Sequence, residues 1–119
     1  MDFVNLSRLP ELQLAPGIMA RVVTAQAMTV THVTLEAGAL LPLHTHINEQ
    51  LVNVIEGHLE LTVDGVKHDL VPGTVMVLAP NIPHSGKAIT NCRVIDVFHP
   101  IREDFRQALE RLEQKKNLY

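Results

Sequence analysis

The chain has 119 residues and carries seven histidines, but it has no tryptophan, three phenylalanines and one tyrosine. This length predicts one domain that can bury a core without disulfide or metal staples. Ten basic and thirteen acidic side chains give a net charge of −3, and the few aromatic residues supply no basic, base-stacking surface, so we expect no nucleic-acid partner.

The cysteine content and the N-terminus predict the compartment. Cys92 is the single cysteine, so an intrachain disulfide is excluded. The first residues lack the basic start and apolar run of a signal peptide, and no apolar stretch approaches the ~18 residues that span a bilayer. We therefore expect a soluble, cytoplasmic protein with no membrane contact.

Prolines and glycines divide the middle of the chain into segments of strand length, many of them rich in β-branched residues. The predicted strands cover residues 18–24, 27–35, 50–56, 58–63, 66–71, 74–79 and 92–98. Asp64-Gly65 predicts a tight hairpin, because both turn positions need positive φ. Seven or eight short strands at this spacing are typical of a barrel or a two-sheet sandwich.

The pattern changes to a helical period after Pro100. Apolar residues at helical spacing form one stripe, namely Ile101, Phe105, Ala108, Leu109 and Leu112. Pro100 suits the first turn of a helix. The predicted organisation is an N-terminal arm (1–17), a barrel (18–100) and a C-terminal helix (101–119). Apolar residues of the arm predict pairing across a two-fold axis in a homodimer.

Histidines supply the first chemical signal. His44 and His46 are two residues apart on an extended chain and share a face, as a pair of metal ligands would, although such pairs also occur on half-exposed strands. If the strand continues without a bulge, Gln50 lies on the same face and is the preferred third ligand; a bulge would favour Glu49 instead. His84 follows the rigid segment Pro80–Pro83, which favours a fixed ligand.

The remaining histidines give weaker signals. No role is predicted for His32, His58 and His68, and that of His99 stays open.

The pattern Gly38-x5-His44-x-His46-x3-Gln50-x6-Gly57, followed by Gly73, Pro80 and His84, resembles the two-part signature of the cupin superfamily. This chain departs from it in having Gln50 instead of glutamate, one extra residue before Pro80, and Ile82 where glycine is usual. The resemblance covers residues 18–100. It implies an all-β fold, a small double-stranded β-helix or jelly-roll barrel with a C-terminal helix. It also implies one divalent metal ion, nickel, zinc, manganese or iron, bound by His44, His46, Gln50 and His84.

A closer resemblance lies beyond the ligands. The segments 46–50, 80–86 and 92–105 are similar to the KdgF family of pectin-degradation cupins, which uses three histidines and a glutamine. That resemblance implies a metal-dependent enzyme that opens the ring of 4,5-unsaturated uronates, the products of pectate or alginate lyases, to the linear keto form. The family's working residues correspond to Asp96 and Arg102 as catalytic residues, with Phe98 and Arg102 binding the substrate. His99 stands where serine is common.

These residue types suit that reaction. On one strand Asp96 and Phe98 share a face, where a carboxylate can move a proton and a phenyl ring can pack on a sugar. Arg102, predicted in the first helical turn, offers a fork to a carboxylate. Alternatively, Asp96 is a cap or forms an ion pair with Arg102 that holds the helix, and Phe98 is core.

Two other functions stay open for the predicted metal site. One is a dioxygenase that uses iron or manganese, against which the neutral ligand Gln50 counts mildly. The other is a binding module that captures a small acid without turnover.

Overall fold

The computed structural model describes residues 2–117, so Met1 and the last two residues of the predicted helix lie outside the described residues. A short 3-10 helix (Leu6–Arg8) precedes the strands. The strands are β1 (Leu12–Ala15), β2 (Ile18–Thr24), β3 (Thr29–Leu35), β4 (Leu40–His44), β5 (Glu49–Glu56), β6 (Leu59–Val63), β7 (Val66–Leu70), β8 (Val75–Leu78), β9 (His84–Ala88) and β10 (Cys92–His99), and they are followed by helix α1 (Glu103–Asn117).

The strands form two antiparallel sheets that enclose the core. The six-stranded sheet has the order β1-β2-β3-β10-β5-β8, and the four-stranded sheet has the order β4-β9-β6-β7. Buried aliphatic side chains from both sheets meet between them, among them Ile18 and Val54 of the six-stranded sheet and Leu59 and Leu61 of the four-stranded sheet. The predicted all-β, jelly-roll-like fold with a C-terminal helix is confirmed.

The predicted number of strands was too low, because the described residues contain ten strands rather than seven or eight. The additional strands are β1, β4 and β9. β1 lies within the predicted arm and pairs with β2. β4 contains Pro42 and an irregular register, and β9 contains Gly86 and Lys87, so neither has the β-branched composition of a typical strand.

The two histidines of the first motif do not share a strand with Gln50. β4 ends at His44 in the four-stranded sheet, and β5 begins at Glu49 in the six-stranded sheet. Residues 45–48 carry the chain across, so the continuous strand assumed for counting side-chain direction is wrong. His46 and Asn48 lie in this connection.

Helix α1 covers the barrel through its apolar stripe. Phe105, Ala108, Leu109 and Leu112 pack against the core, as predicted. The helix begins at Glu103, so Pro100, Ile101 and Arg102 precede it instead of lying in its first turn. No helix within residues 2–117 is long and apolar enough to cross a membrane.

The connection between β10 and α1 is held by buried polar groups. The Asn48 side-chain amide donates to the carbonyl oxygens of Pro100 and Ile101, at 2.6 and 3.1 Å. The backbone N–H of Arg102 donates to the Thr29 hydroxyl at 2.9 Å. These bonds fix the position at which the Arg102 side chain enters the barrel.

Candidate functional site

Three histidines converge between the two sheets. His44 and His84 are register partners on β4 and β9, with ring centroids 4.1 Å apart. His46, from the following connection, lies 5.7 Å from His44 and 4.9 Å from His84. One nitrogen from each ring lies within 4.8 Å of the others, so the three histidines could hold a metal ion.

Backbone carbonyls orient all three rings. The Nδ1 atoms of His44, His46 and His84 lie 2.8, 3.1 and 2.8 Å from carbonyl oxygens two residues away in the chain. A carbonyl oxygen accepts only, so each neutral ring carries its proton on Nδ1 and has a lone pair on Nε2. The Nε2 atom of His84 is buried and has no hydrogen-bond partner within residues 2–117.

The buried amide of Gln50 completes the cluster. Its Oε1 atom lies 3.0 Å from the Nε2 atom of His46, so two lone pairs face each other. A cation between them would remove this conflict. Burial, aided by the charges of Arg102 and His84, lowers the pKa of His46 to about 4, so a proton does not supply that cation at neutral pH.

The donor set therefore fits a divalent metal, because three imidazole nitrogens and one amide oxygen are ordinary ligands for such ions. The structure brings together all four predicted ligands. Glu49, the alternative to Gln50, is exposed at the start of β5.

A cavity of about 350 Å³ opens beside this cluster. Aliphatic side chains from both sheets form most of its wall. The polar side chains of the wall are His44, Gln50, His84, Asp96, Arg102 and Asp104, and the aromatic ones are Phe98 and Phe105. The catalytic and substrate-binding residues expected from the sequence thus share one cavity with three of the four proposed metal ligands, His44, Gln50 and His84.

Asp96 points into the barrel from β10, between Thr31 on β3 and Val52 on β5. The Thr31 hydroxyl lies 3.4 Å from its Oδ2 atom, and its buried Oδ1 atom has no hydrogen-bond partner in the described part of the chain. Burial raises the pKa of Asp96 to about 6, although the neighbouring Gln50 amide, the Thr31 hydroxyl and the Arg102 charge act in the opposite direction. This carboxyl group can therefore change protonation state near neutral pH.

Arg102 does not pair with Asp96. Its Nε and Nη2 atoms donate to the two carboxylate oxygens of Asp104, at 2.9 and 2.7 Å. Its guanidinium carbon lies 4.7 Å from the Phe98 ring centroid and 3.9 Å from that of Phe105. The alternative reading, in which an Asp96–Arg102 pair holds the helix, is therefore wrong.

Phe98 combines both roles considered for it. It is 2% exposed and so belongs to the core, yet its ring also lines the cavity. It meets the rings of His46 and Phe105 edge to face, at 5.6 and 5.8 Å.

Three residues of this region were not predicted as site residues from the sequence. Asp104 and Phe105 contact Arg102, and Thr31 contacts Asp96. Asp104 and Phe105 fall within a segment that resembles the KdgF family, which was the signal that could have drawn attention to them. The only sequence signal for Thr31 was its place on one face of the predicted strand 27–35.

The other histidines lie away from the cavity wall. His32 is on β3, His58 lies 2.8 Å from the Asp69 carboxylate, and His68 is exposed on β7. His99 is exposed at the end of β10.

The cupin domain family (Cupin_2) matches residues 31–98. KdgF from Halomonas sp. superposes with a TM-score of 0.81 at 26% identity, covering 88% of this chain and 98% of that chain. An RmlC-like cupin from Shewanella frigidimarina gives a TM-score of 0.81 at 25% identity, covering 88% and 96%. H2HPP isomerase of Bacillus subtilis is 29% identical over 82 residues, which are 67% of this chain and 34% of that protein. The chain thus spans about a third of that curated relative's length.

Proposed function

This chain belongs to the cupin family, and from that premise we propose that it is a metal-dependent enzyme that opens the ring of 4,5-unsaturated uronates from pectin or alginate breakdown. The observation that carries the proposal is one cavity lined by three of the four proposed metal ligands and by Asp96, Phe98 and Arg102. Similarity to KdgF along nearly its whole length supports this choice among cupin functions.

In this proposal His44, His46, Gln50 and His84 hold one divalent ion, nickel, zinc, manganese or iron. When bound, such an ion supplies Lewis-acid polarisation of substrate oxygens. All four side chains are neutral ligands, so they leave its positive charge available to an anionic substrate.

Arg102 and Phe98 orient the substrate. The guanidinium of Arg102 is suited to a carboxylate, with which it can form two parallel hydrogen bonds. The Phe98 ring offers an apolar surface to the carbon face of a sugar. The cavity, at about 350 Å³, falls within the usual size of small-molecule sites.

Asp96 moves the proton that the reaction requires. The hemiacetal hydroxyl loses its proton and the ring oxygen gains one as the bond between carbon 1 and the ring oxygen breaks, which leaves an aldehyde and an enol. The enol then gains a proton at carbon 4 and loses the one on its oxygen, so the overall change is an isomerisation. A carboxyl group with a pKa of about 6 can accept and return a proton near neutral pH.

The test uses an unsaturated galacturonate monomer prepared with a pectate lyase. The metal-loaded protein should speed the loss of ultraviolet absorbance of the enol ether above the rate in buffer, and Asp96→Ala should abolish that acceleration. Asp69→Ala, which removes an exposed carboxylate on β7, is the matched control and should retain activity. No acceleration by the wild-type protein with measured metal content would refute the proposal.

The same preparation distinguishes the other two functions. Oxygen consumption with a phenolic or diketone substrate would indicate a dioxygenase. Metal-dependent binding of a small acid without turnover, and without any dependence on Asp96, would indicate a binding module.

We also propose that the protein acts as a homodimer. The N-terminal arm exposes Phe3 almost completely and Val4 partly, which leaves apolar surface in the segment that precedes the edge strand β1. Light scattering after size exclusion should give about twice the 13.2 kDa chain mass. The double variant Phe3→Ser, Val4→Ser should shift the protein towards monomer, and a monomeric wild type would exclude the dimer.

A further inference from the structure

We propose that Asp104 is a positioning residue that holds one edge of the Arg102 guanidinium and thereby leaves a second edge free as the receptor for the substrate carboxylate. This inference rests on the proposed function for the identity of the ligand. It assigns a role to a residue outside the set carried over from the resemblance.

The hydrogen bonds define which edge is used. Asp104 Oδ1 accepts from Nε of Arg102 at 2.9 Å, and Oδ2 accepts from Nη2 at 2.7 Å. A guanidinium has five N–H donors, of which this pairing uses two. One N–H of Nη1 and the second N–H of Nη2 form another fork of the same shape. Nη1 has no acceptor within residues 2–117.

The guanidinium has little freedom to reorient. The Arg102 side chain is 9% exposed, and its charged group packs against the perpendicular rings of Phe98 and Phe105. The backbone N–H of the same residue is bonded to the buried Thr29 hydroxyl. Rotation to present a different edge would break the bidentate pair and move a buried cation off both rings, which is costly.

The two partners of the ion pair differ in exposure. Asp104 also lines the cavity, but its side chain is 63% exposed, so the carboxylate that holds the first edge lies on the solvent side. Arg102 is buried and lines the same cavity as His84 and Asp96. A second carboxylate that enters the cavity can therefore bind the free edge while Asp104 stays in place, and a planar, two-oxygen anion suits that edge better than a neutral sugar.

A competing reading makes the opposite prediction. If Asp104 stood in for the substrate carboxylate on the same edge, it would have to leave before the substrate bound. Removing Asp104 would then strengthen the binding of acids. On the positioning role, removing it weakens binding, because the guanidinium loses the bond that orients it.

The test measures binding of D-galacturonate, a saturated acid without the reactive enol ether, and of neutral D-galactose by calorimetry to the metal-loaded protein. Asp104→Ala should weaken galacturonate binding about tenfold or more, since the pair orients a charged donor. The affinity of Asp104→Asn for galacturonate should lie between those of Asp104→Ala and the wild type. Glu103→Ala is the matched control, because its carboxylate pairs with Arg106 at 2.7 Å rather than with Arg102, and it should stay within about twofold of the wild type.

Each outcome decides the question. Equal or tighter galacturonate binding by Asp104→Ala overturns the proposal, as does no binding of the acid by the wild type, or equal binding of galactose. Nitrogen-15 spectra of the wild type give an independent readout. On adding the acid, the Arg102 Nη signals should shift while the Nε–H signal keeps its hydrogen-bonded position; a displaced Nε–H signal would also overturn the proposal.

This experiment separates the inference from the proposed function. If the wild type binds galacturonate through Arg102 and Asp104 but does not accelerate loss of the enol-ether absorbance, the uronate reaction fails and the role of Asp104 stands. If turnover occurs but Asp104→Ala binds galacturonate as well as the wild type does, the uronate reaction stands and the role of Asp104 fails.

Discussion

Replacing Asp96 with asparagine should change how the stability of the metal-free protein depends on pH. Burial raises the pKa of this carboxyl from its ordinary value of 3.8 to about 6. The folded protein therefore favours the protonated form, and stability is lost as the pH rises through the folded pKa. The difference of about two pKa units corresponds to about 3 kcal/mol, at ~1.36 kcal/mol per unit.

Asparagine cannot ionise, so Asp96→Asn should not show this loss. The free energy of unfolding of Asp96→Asn minus that of the wild type should increase as the pH rises. Compared with its value at low pH, this difference should be about 1.6 kcal/mol larger at pH 5 and about 3 kcal/mol larger above pH 7. The amide changes the hydrogen bonding with Thr31, but that adds a constant and leaves the slope unchanged. His46, with its pKa lowered to about 4, stays neutral across this range.

The assay is urea unfolding at several pH values from 5 to 8 in the presence of a chelator. Asp64→Asn makes the same chemical change at the exposed β6–β7 turn, and its difference from the wild type should stay constant. If the Asp96→Asn difference is equally constant, or falls as the pH rises, the reasoning from burial of Asp96 is refuted.

Three further substitutions test the surrounding structure. Gln50→Glu should bind a divalent metal about tenfold more tightly because it adds a negative charge, yet it should lower uronate turnover. Calorimetry with nickel measures the affinity, and the absorbance assay measures the turnover. Unchanged metal affinity would exclude Gln50 as a ligand. Asn48→Ala should cost about 1–3 kcal/mol in urea, since two carbonyls before α1 lose their buried donor; no loss would show that these bonds are dispensable. Gly57 has φ +90°, and an added Cβ would lie 2.1 Å from the Asn91 carbonyl oxygen. Gly65 has a similar φ of +81°, but an added Cβ would meet open space. Gly57→Ala should therefore lower the free energy of unfolding far more than Gly65→Ala does.

Local signals in the sequence predicted the elements that depend on neighbouring residues. Asp64 and Gly65 both adopt positive φ, at 48° and 81°, as their predicted two-residue turn requires. The apolar stripe of α1 packs on the core because side chains at helical spacing lie on one face. The fold class followed from turn spacing together with the cupin resemblance.

The site depended on contacts that no local pattern encodes. Gln50 reaches the histidines because the chain crosses between the sheets at residues 45–48. Counting residues along one strand also predicted Gln50 as a ligand, but it assumed a continuous strand that does not exist. The pairing of Arg102 with Asp104 was missed because the predicted helix began too early. In a regular helix residues two apart point in different directions, but Arg102 precedes α1 and is free to turn back onto Asp104.

The proposed metal ligands are divided between the two sheets. His44 and His84 belong to the four-stranded sheet, Gln50 belongs to the six-stranded sheet, and His46 lies on the segment that joins them. An ion bound by all four ligands would link the two sheets, so that the sheets could not separate without releasing it. At a metal concentration of about 1,000 times Kd, this linkage would add about 4 kcal/mol to the free energy of unfolding. Amide hydrogen exchange in β4, β5 and β9 should therefore slow together when the protein is loaded.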